Sequence, residues 1–283
     1  MHRPRLSETE FNQYQLKKLT DKRTYKLFVF SDPHGWLADL KCLRVINNIL
    51  QHNKFDEVCI NGDIVDLPFV SKHTNKLFME GILNGYNEVE EFRYTEEQIL
   101  KPLRLSTDAK ITIRTGNHDE RVTKPFLLSK GQLARLAILY KHFESTKFEE
   151  MLHLAENDMV YDPTDVFNYF DIFDITHGLS LTKNASEKNI IEYWGSGCTG
   201  HSHRLGMRYI RNRHNINAWF EVGCTRLMEA VEYLPTGKIA DWCQGFLEVT
   251  FKIDGDKVLF FAQPHAIIAV SYTHLTLPTN REV

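Results

Sequence analysis

The chain has 283 residues, of which 42% are hydrophobic and 25% charged, and its formal net charge is −3. This length can bury a large core as one domain or as two. The charge excludes a basic field over the whole molecule but not a local basic patch. The longest apolar runs fall far short of the ~20 residues that cross a bilayer, and the polar N-terminal segment lacks a signal-peptide core, so we expect no contact with a membrane. The 5 cysteines are odd in number and form no Cys-x-x-Cys pair, which favours thiols in a reducing cytoplasm over disulfides or a zinc finger.

The first part of the chain alternates between predicted strands and predicted helices. Short apolar runs that end at turn-forming residues predict strands at 25–31, 57–61 and 110–114. Apolar residues at helical spacing predict a helix at 36–52, and a long charged stretch predicts another at 86–105. This order is typical of an α/β sheet, in which ligand sites lie at the carboxyl ends of the strands.

The second part begins with helices and ends with strands. Two helices are predicted within 131–155, and we expect them to form a cap beside the site because they interrupt the polar motifs described below. Asp254-Gly255 predicts a hairpin turn between the last two strands. The remaining predicted elements are a strand at 170–176, a helix at 185–194, and strands at 196–199, 207–211, 216–222, 245–253 and 258–262.

These elements divide the chain into three parts. Residues 1–24 are a polar segment, and residues 25–270 form a single domain with a cap-like helical insertion at 130–156. The last thirteen residues, 271–283, resemble a tail that recurs on unrelated proteins and translated sequencing-adaptor sequence. We therefore expect this tail to be foreign to the fold.

Five short polar clusters each end a predicted strand. Each cluster sets a carboxylate, amide or imidazole beside a small or turn-forming residue. Alone, Asp32-Pro33-His34 and Gly62-Asp63 are more often plain turns than metal ligands, and the other histidines could be surface or buried structural residues. The His-x-His pair is more specific, because residues two apart leave a strand on the same face. The clusters are Asp32-Pro33-His34, Gly62-Asp63, Gly116-Asn117-His118-Asp119, Thr176-His177-Gly178 and Gly200-His201-Ser202-His203.

Taken together, the clusters predict a metal centre. Because each of them ends a strand, we expect all five to converge on one edge of one sheet. Carboxylate, amide and imidazole ligands in this mixture suit Mn, Fe and Zn. The set is large enough for two neighbouring divalent metal ions with one histidine to spare, which is the equipment for hydrolysing a phosphate ester with a metal-bound water.

The order Asp-x-His, Gly-Asp-x-x-Asp, Gly-Asn-His-Asp, His and Gly-His-x-His resembles that of the calcineurin-like metallophosphoesterases, especially the forms found in bacteriophages and bacteria. The resemblance runs from about Tyr25 to Phe261. It implies an α/β fold, a four-layer α-β-β-α sandwich with two mixed sheets and a dinuclear metal site at the strand carboxyl ends. It also implies two divalent metal ions, with Mn expected and Fe, Zn or Ni acceptable.

The resemblance further implies a role for each motif residue. It assigns Asp32, His34 and His203 to one metal, Asn117, His177 and His201 to the other, and Asp63 to both. His118 would be the catalytic histidine that binds no metal, oriented by Asp119. Asp66 would lie next to the metal ligands without binding a metal itself.

Several substrate classes remain open, because this family hydrolyses many phosphate esters. Protein phosphatases of the family carry Arg and Glu where this chain has Leu67 and Asp119, so that activity is disfavoured. Arg121, Arg204 and Arg211 are candidate contacts to a nucleotide or a nucleic-acid backbone, or else part of a solvated face.

Three hypotheses follow for function. The first is a phosphodiesterase or nuclease acting on nucleotides or nucleic acid, and the second is a phosphomonoesterase acting on a small metabolite. The third is a scaffold of the same fold without turnover. The Gly-Asn-His-Asp form and the phage-like resemblance favour the first. Nothing in the sequence indicates the oligomeric state.

Overall fold

A computed structural model describes residues 23–68, 87–178, 180–211, 213, 215–228 and 241–268. The strands are β1 (Arg23–Phe30), β2 (Glu57–Asn61), β3 (Lys110–Arg114), β4 (Met159–Asp162), β5 (Val166–Tyr169), β6 (Phe173–Thr176), β7 (Gly197–Thr199), β8 (Leu205–Arg211), β9 (Ile216–Val222), β10 (Gly245–Asp254) and β11 (Lys257–Ala266). The helices are α1 (Leu40–His52), α2 (Glu88–Thr95), α3 (Lys101–Ser106), α4 (Glu120–Thr123), α5 (Lys130–Phe143), α6 (Phe148–Met151) and α7 (Ala185–Tyr193).

The strands form two mixed sheets. The first sheet has the order β11-β10-β1-β2-β3-β4, in which β1 to β4 run parallel and β10 and β11 are antiparallel to their neighbours. The second has the order β5-β6-β7-β9-β8, with β6, β7 and β9 parallel and an antiparallel strand at each edge.

Strand β1 shows why the first sheet lies in the middle of the molecule. Leu27 and Val29 point into the core between the two sheets, whereas Phe28 and Phe30 point into the core beneath the helices. Successive side chains of a strand face opposite ways, so a strand buried on both faces needs an unbroken apolar run. The sequence of β1 supplies that run.

Helices cover the outer faces of both sheets. Helix α1 begins at Asp39, whose carboxylate accepts from the N–H groups of Lys41 and Cys42, and it buries Ile46 against the first sheet. On the other side, Tyr193 at the end of α7 stacks on Trp219 of β9. The predicted fold, two mixed sheets enclosed by helices in four layers, is confirmed.

Two edge strands, β4 and β5, are not among the strands predicted from the sequence. In β5 three of the four residues are exposed, so its sequence carries no buried apolar run. The helix predicted at 86–105 is interrupted by a π turn at Glu96–Leu100. Pro102 follows this turn and lacks the N–H that would continue an α-helical ladder, which accounts for the wider turn.

The predicted cap corresponds to α5 and α6. Leu136 and Leu139 of α5, with Phe148 of α6, join the core between the helices and the first sheet. Their role as a cap beside the site stays a prediction. The polar segment up to residue 22 and the tail at 271–283 lie outside the described residues. Within the described part of the chain, every helix is too short or too polar to cross a bilayer.

Candidate metal centre

The five clusters meet where the two sheets face each other. Strands β1, β2 and β3 of the first sheet deliver three of them, and β6 and β7 of the second deliver the other two. The expectation that all five lie on one edge of one sheet is therefore wrong. The chain leaves the first sheet after β4, so the later histidines approach the centre from the opposite sheet.

Asp32, His34 and His203 form one group of converging ligand atoms. The Nε2 atoms of His34 and His203 lie 3.1 Å apart, and the Nε2 of His203 lies 3.1 Å from an Asp32 carboxylate oxygen. All three side chains are buried. Two ring nitrogens and a carboxylate oxygen directed at one point are a donor set that a divalent cation satisfies.

Asp63, His177 and His201 form a second group. The Nε2 of His177 lies 3.2 Å from an Asp63 carboxylate oxygen and 3.2 Å from the amide oxygen of Asn117. The same Asp63 oxygen lies 3.8 Å from the Nε2 of His34 in the first group. Asp63 therefore stands between the two groups, where one carboxylate can serve both.

The ligand residues adopt an unusual backbone conformation. A left-handed φ is uncommon outside glycine and is unfavourable by about 1–3 kcal/mol where the surroundings impose it. Backbone hydrogen bonds hold these turns, such as His34 N–H to the carbonyl of Asp63 at 2.9 Å. The residues with this conformation are Asp32 (56°), His34 (55°), Asp63 (51°), His201 (60°) and His203 (56°).

Two glycines of the clusters allow the turns to pack together. A side chain at Gly116 would collide with the backbone of Asp63, and one at Gly200 would collide with Ser31. The small residues in the motifs are therefore explained by close approach between the turns.

His118 lies at the edge of the centre. Its Nδ1 is 2.8 Å from the carbonyl oxygen of Asp66 and 3.2 Å from a carboxylate oxygen of the same residue. Its Nε2 lies 3.9 Å from Asp63, and its side chain is 20% exposed. The ring is therefore fixed at Nδ1, and Nε2 is left to face the centre.

The structure corrects the role given to Asp119. Its buried carboxylate accepts from the N–H groups of Gly116 at 2.8 Å and Ile64 at 3.1 Å, so it ties two ligand-bearing turns together. The contacts that orient the His118 ring come from Asp66 instead. Sequence adjacency to His118 suggested Asp119, but the turn points the two side chains in different directions.

Asp66 also holds His34. Its carboxylate lies 2.8 Å from the Nδ1 of His34, so one buried carboxylate contacts the far side of two histidines. Burial opposes the charge of Asp66, but the hydrogen bonds from His118 and His34 hold its pKa well below the usual range. The carboxylate is therefore charged at neutral pH.

Acidic neighbours dominate the titration of His34 in the metal-free protein. Burial lowers its pKa and so does the nearby charge of Arg226, but hydrogen bonds to Asp32 and Asp66 and the charge of Asp63 outweigh both and raise the pKa to about 9.

Burial and acidic neighbours also oppose each other at His177 and His203, but the net effect on the pKa differs between the two. Burial lowers the pKa of His177, but the charges of Asp63 and Asp32 raise it to about 10. Burial lowers the pKa of His203 to about 4, against the attraction of Asp32. At neutral pH the metal-free centre thus holds protons on some of the nitrogens that a metal would need.

A buried carboxylate behind the centre was not among the residues predicted from the sequence. Glu91 of α2 is fully buried and accepts from the N–H groups of Asp66 at 2.6 Å and Leu67 at 3.1 Å. It stands in a run of glutamates within the charged stretch that predicts a helix, so no sequence signal separates it from its neighbours.

Two further contacts support the His-x-His turn. The ring of Trp242 packs against His203 at 4.5 Å between centroids, and the guanidinium of Arg226 lies 5.0 Å above that same Trp242 ring. From the other side, Glu221 accepts from the hydroxyl of Ser202 at 2.6 Å. These residues come from distant parts of the chain, so only the fold brings them together.

The three candidate arginines differ in position. Arg121 donates to the carbonyl of Asp66 at 2.7 Å, and Arg204 donates to Asp241 at 2.8 Å. Arg211 lies six residues along β8 from Leu205, which at ~3.3 Å per residue places it about 20 Å from the end of the sheet that carries the centre. That Arg211 contacts substrate stays a prediction, and it would require a substrate that extends along β8 away from the metal ligands.

The residues present fit two divalent ions. The two carboxylates and four histidines assigned as ligands fall, together with His118, into three overlapping groups, and within each group the candidate atoms lie no more than 4.8 Å apart. The amide oxygen of Asn117 adjoins the third group through His177. Imidazole nitrogens that face each other at 3.1 Å are best satisfied by a shared cation.

Two proteins with a similar sequence come from mycobacteriophages. The chain is 26% identical to the Gene 54 protein of Mycobacterium phage D29 over 245 residues, which cover 82% of this chain and 91% of that protein. It is 25% identical to the Gene 54 protein of Mycobacterium phage L5 over 247 residues, with the same coverage of 82% and 91%.

Solved structures that align with this chain include Vps29 proteins. Vps29 of Chaetomium thermophilum aligns with a TM-score of 0.40 and 10% identity, over 86% of this chain and 98% of that one. Wild-type Vps29 of Entamoeba histolytica complexed with zinc aligns with a TM-score of 0.36 and 13% identity, over 84% of this chain and 98% of that one.

The family model described as calcineurin-like phosphoesterase matches residues 25–232. That range contains all five clusters and most of the chain. The protein therefore belongs to the calcineurin-like phosphoesterases.

Proposed function

We propose that the protein is a metal-dependent phosphodiesterase that acts on nucleotides or nucleic acid. The observation that carries the proposal is the pair of ligand groups joined by Asp63, with His118 held beside them by Asp66. Asp32, His34 and His203 would hold one ion, Asn117, His177 and His201 the other, and Asp63 both. Two such ions, with Mn²⁺ preferred, would neutralise phosphate charge and supply a hydroxide at neutral pH.

The chain's own residues would complete the reaction. With Nδ1 fixed against Asp66, His118 presents Nε2 to the centre, where it can donate a proton to the leaving oxygen. Asp66 stabilises the ring in that orientation throughout. Asp119 would hold the turns that carry Asp63 and Asn117 next to each other, which would preserve the spacing between the two ligand groups.

The preference for diesters rests on sequence. The Gly-Asn-His-Asp form and the phage relatives favour nucleic-acid metabolism over small-metabolite chemistry. The proposal also includes a reducing, cytoplasmic location, which suits five unpaired cysteines.

The test compares two synthetic esters. Bis-p-nitrophenyl phosphate and p-nitrophenyl phosphate are offered side by side to the full-length protein, with Mn²⁺ and with a chelator. We expect the diester to be cleaved faster and the chelator to abolish cleavage. Preference for the monoester would replace the proposal with a phosphomonoesterase, and failure to cleave either ester with two metals bound would favour a scaffold.

A further inference from the structure

A cavity of about 280 Å³ opens directly beside the candidate metal centre. One side of it is formed by Asn117 and His177, which belong to the second ligand group. The other side is formed by Tyr193, the last residue of α7. A phosphate held at the centre would therefore have this cavity next to it, and whichever group the phosphate carries on this side would enter it.

Tyr193 offers a flat and well-supported surface. Its ring stacks on Trp219 with 5.0 Å between centroids and 16° between planes. Trp219 is completely buried, and its Nε1 donates to the hydroxyl of Thr199 at 3.3 Å. One face of Tyr193 is thus covered while the residue stays partly exposed and lines the cavity. An aromatic ring held in this way can stack on a base without first being ordered.

The charged groups of the cavity indicate what it would accept. Glu120 and Asp165 carry negative charge, and Lys124 lies 2.5 Å from Glu120 and 4.0 Å from Asp165. Apart from the proposed metal ligand His177, the charged lining residues are two carboxylates and one ammonium, and their net negative charge disfavours a second phosphate group beside them. Carboxylate oxygens accept hydrogen bonds, so they favour an uncharged group with N–H donors.

We propose that this cavity is a nucleobase subsite, in which Tyr193 stacks on the base of a nucleotide whose phosphate lies at Asn117 and His177. The inference rests on the proposed phosphoesterase function and narrows its substrate to one with an amino-bearing base beside the scissile phosphate. The acidic rim makes a single nucleoside a better occupant than a continuing nucleic-acid backbone.

The test compares two phosphonates, in which the carbon–phosphorus bond cannot be hydrolysed. The probes are the 5′-phosphonate of adenosine and the 5-phosphonate of ribose, titrated calorimetrically into the full-length protein loaded with Mn²⁺. The two share phosphorus and sugar and differ only in the base. We expect the adenosine compound to bind about tenfold more tightly, since stacking of a base on an aromatic side chain is worth ~1–3 kcal/mol.

Substitutions of Tyr193 test whether this residue causes the difference in affinity between the two phosphonates. Tyr193→Ala should bring the two affinities together, whereas Tyr193→Phe should preserve the difference because it keeps the ring. Tyr209→Ala is the matched control, since Tyr209 is a partly exposed tyrosine on β8, and it should also preserve the difference. If a thermal melt shows no unfolding transition for Tyr193→Ala, the variant is not folded and Tyr193→Leu replaces it.

Equal binding of the two phosphonates by the unaltered protein would overturn the subsite, as would a difference that survives in a folded Tyr193→Ala protein. This result is separable from failure of the proposed function. Cleavage of bis-p-nitrophenyl phosphate with equal phosphonate binding would remove only the subsite, whereas absence of cleavage would remove the function itself.

Discussion

Replacement of Asp66 by asparagine tests how the centre is held in place. The carboxylate of Asp66 lies 2.8 Å from the Nδ1 of His34 and 3.2 Å from the Nδ1 of His118, and it is buried. Asn at this position keeps the size and one oxygen acceptor but removes the charge. The substitution therefore weakens the orientation of one metal-binding histidine and of the proposed proton donor together.

The expected magnitude follows from these two contacts. Hydrogen bonds to a charged group contribute about 1.5–3 kcal/mol and neutral ones about 0.5–1.5 kcal/mol, so each histidine loses about 1 kcal/mol. At His34 this loss should weaken metal binding about fivefold, and at His118 it should lower kcat about fivefold. The two changes are measured separately, and each lies just below the roughly 10–100-fold range that is typical when residues behind a metal site are altered.

Metal affinity is measured by competition with a chromophoric chelator, and kcat with bis-p-nitrophenyl phosphate at saturating Mn²⁺. The matched control is Glu57→Gln, another buried carboxylate, which binds Tyr25 and Thr112 at the other end of the first sheet. It should lower the melting temperature without changing metal affinity. Unchanged affinity and unchanged kcat in Asp66→Asn would refute the role of Asp66, and equal losses in the control would show that the effect is only general destabilisation.

The remaining predictions concern the proton donor, the shared ligand, proton release and a remote arginine. His118→Ala should keep both metals but lower kcat by about 10²–10⁴-fold, and unchanged turnover would remove its role as proton donor. Asp63→Ala should lose metal in elemental analysis, and full retention would contradict the shared-ligand assignment. The raised pKa values of His34 and His177, about 9 and 10, mean that their protons stabilise the metal-free fold fully below pH 6.5 and that this stabilisation is lost as pH rises through those values. Metal binding at pH 7 should therefore release protons and weaken as pH falls, which calorimetry in buffers of different ionisation enthalpy detects; binding without proton release would contradict the assigned ligands. Arg211→Ala should leave both metal content and turnover unchanged, and a loss of turnover would show that the far end of β8 takes part in binding.

Local sequence was sufficient to predict the strands that carry the clusters, because each of them is short, apolar and closed by a turn. Strands β2 and β3 begin and end at the predicted residues, and so does β9, which carries no cluster. Strand β5 could not be predicted in this way, because it is an edge strand with most of its side chains in solvent. Such strands are specified by pairing with a neighbour rather than by their own hydrophobic pattern.

In the candidate site too, only some of the residues could be predicted from the sequence. Its ligand atoms could be predicted because chemistry confines them to a few residue types beside small residues. The residues that orient them could not, since any buried carboxylate at the right distance would serve. Glu91 reaches the turn of Asp66 from a helix 25 positions along the chain, and Glu221 reaches Ser202 from the neighbouring part of the second sheet. These contacts depend on how the layers pack, which no local pattern records.

The left-handed backbone conformation of the ligand residues lowers stability, whereas activity requires the side chains at these positions. Glycine adopts such a conformation without strain, so a glycine at His201 or His203 would relax the backbone of the metal-free protein while removing a ligand. Random changes that survive a screen for thermostability alone should therefore accumulate at the residues that activity needs most. A screen that includes metal in the medium would act in the opposite direction, because bound metal stabilises only the chains that keep these side chains.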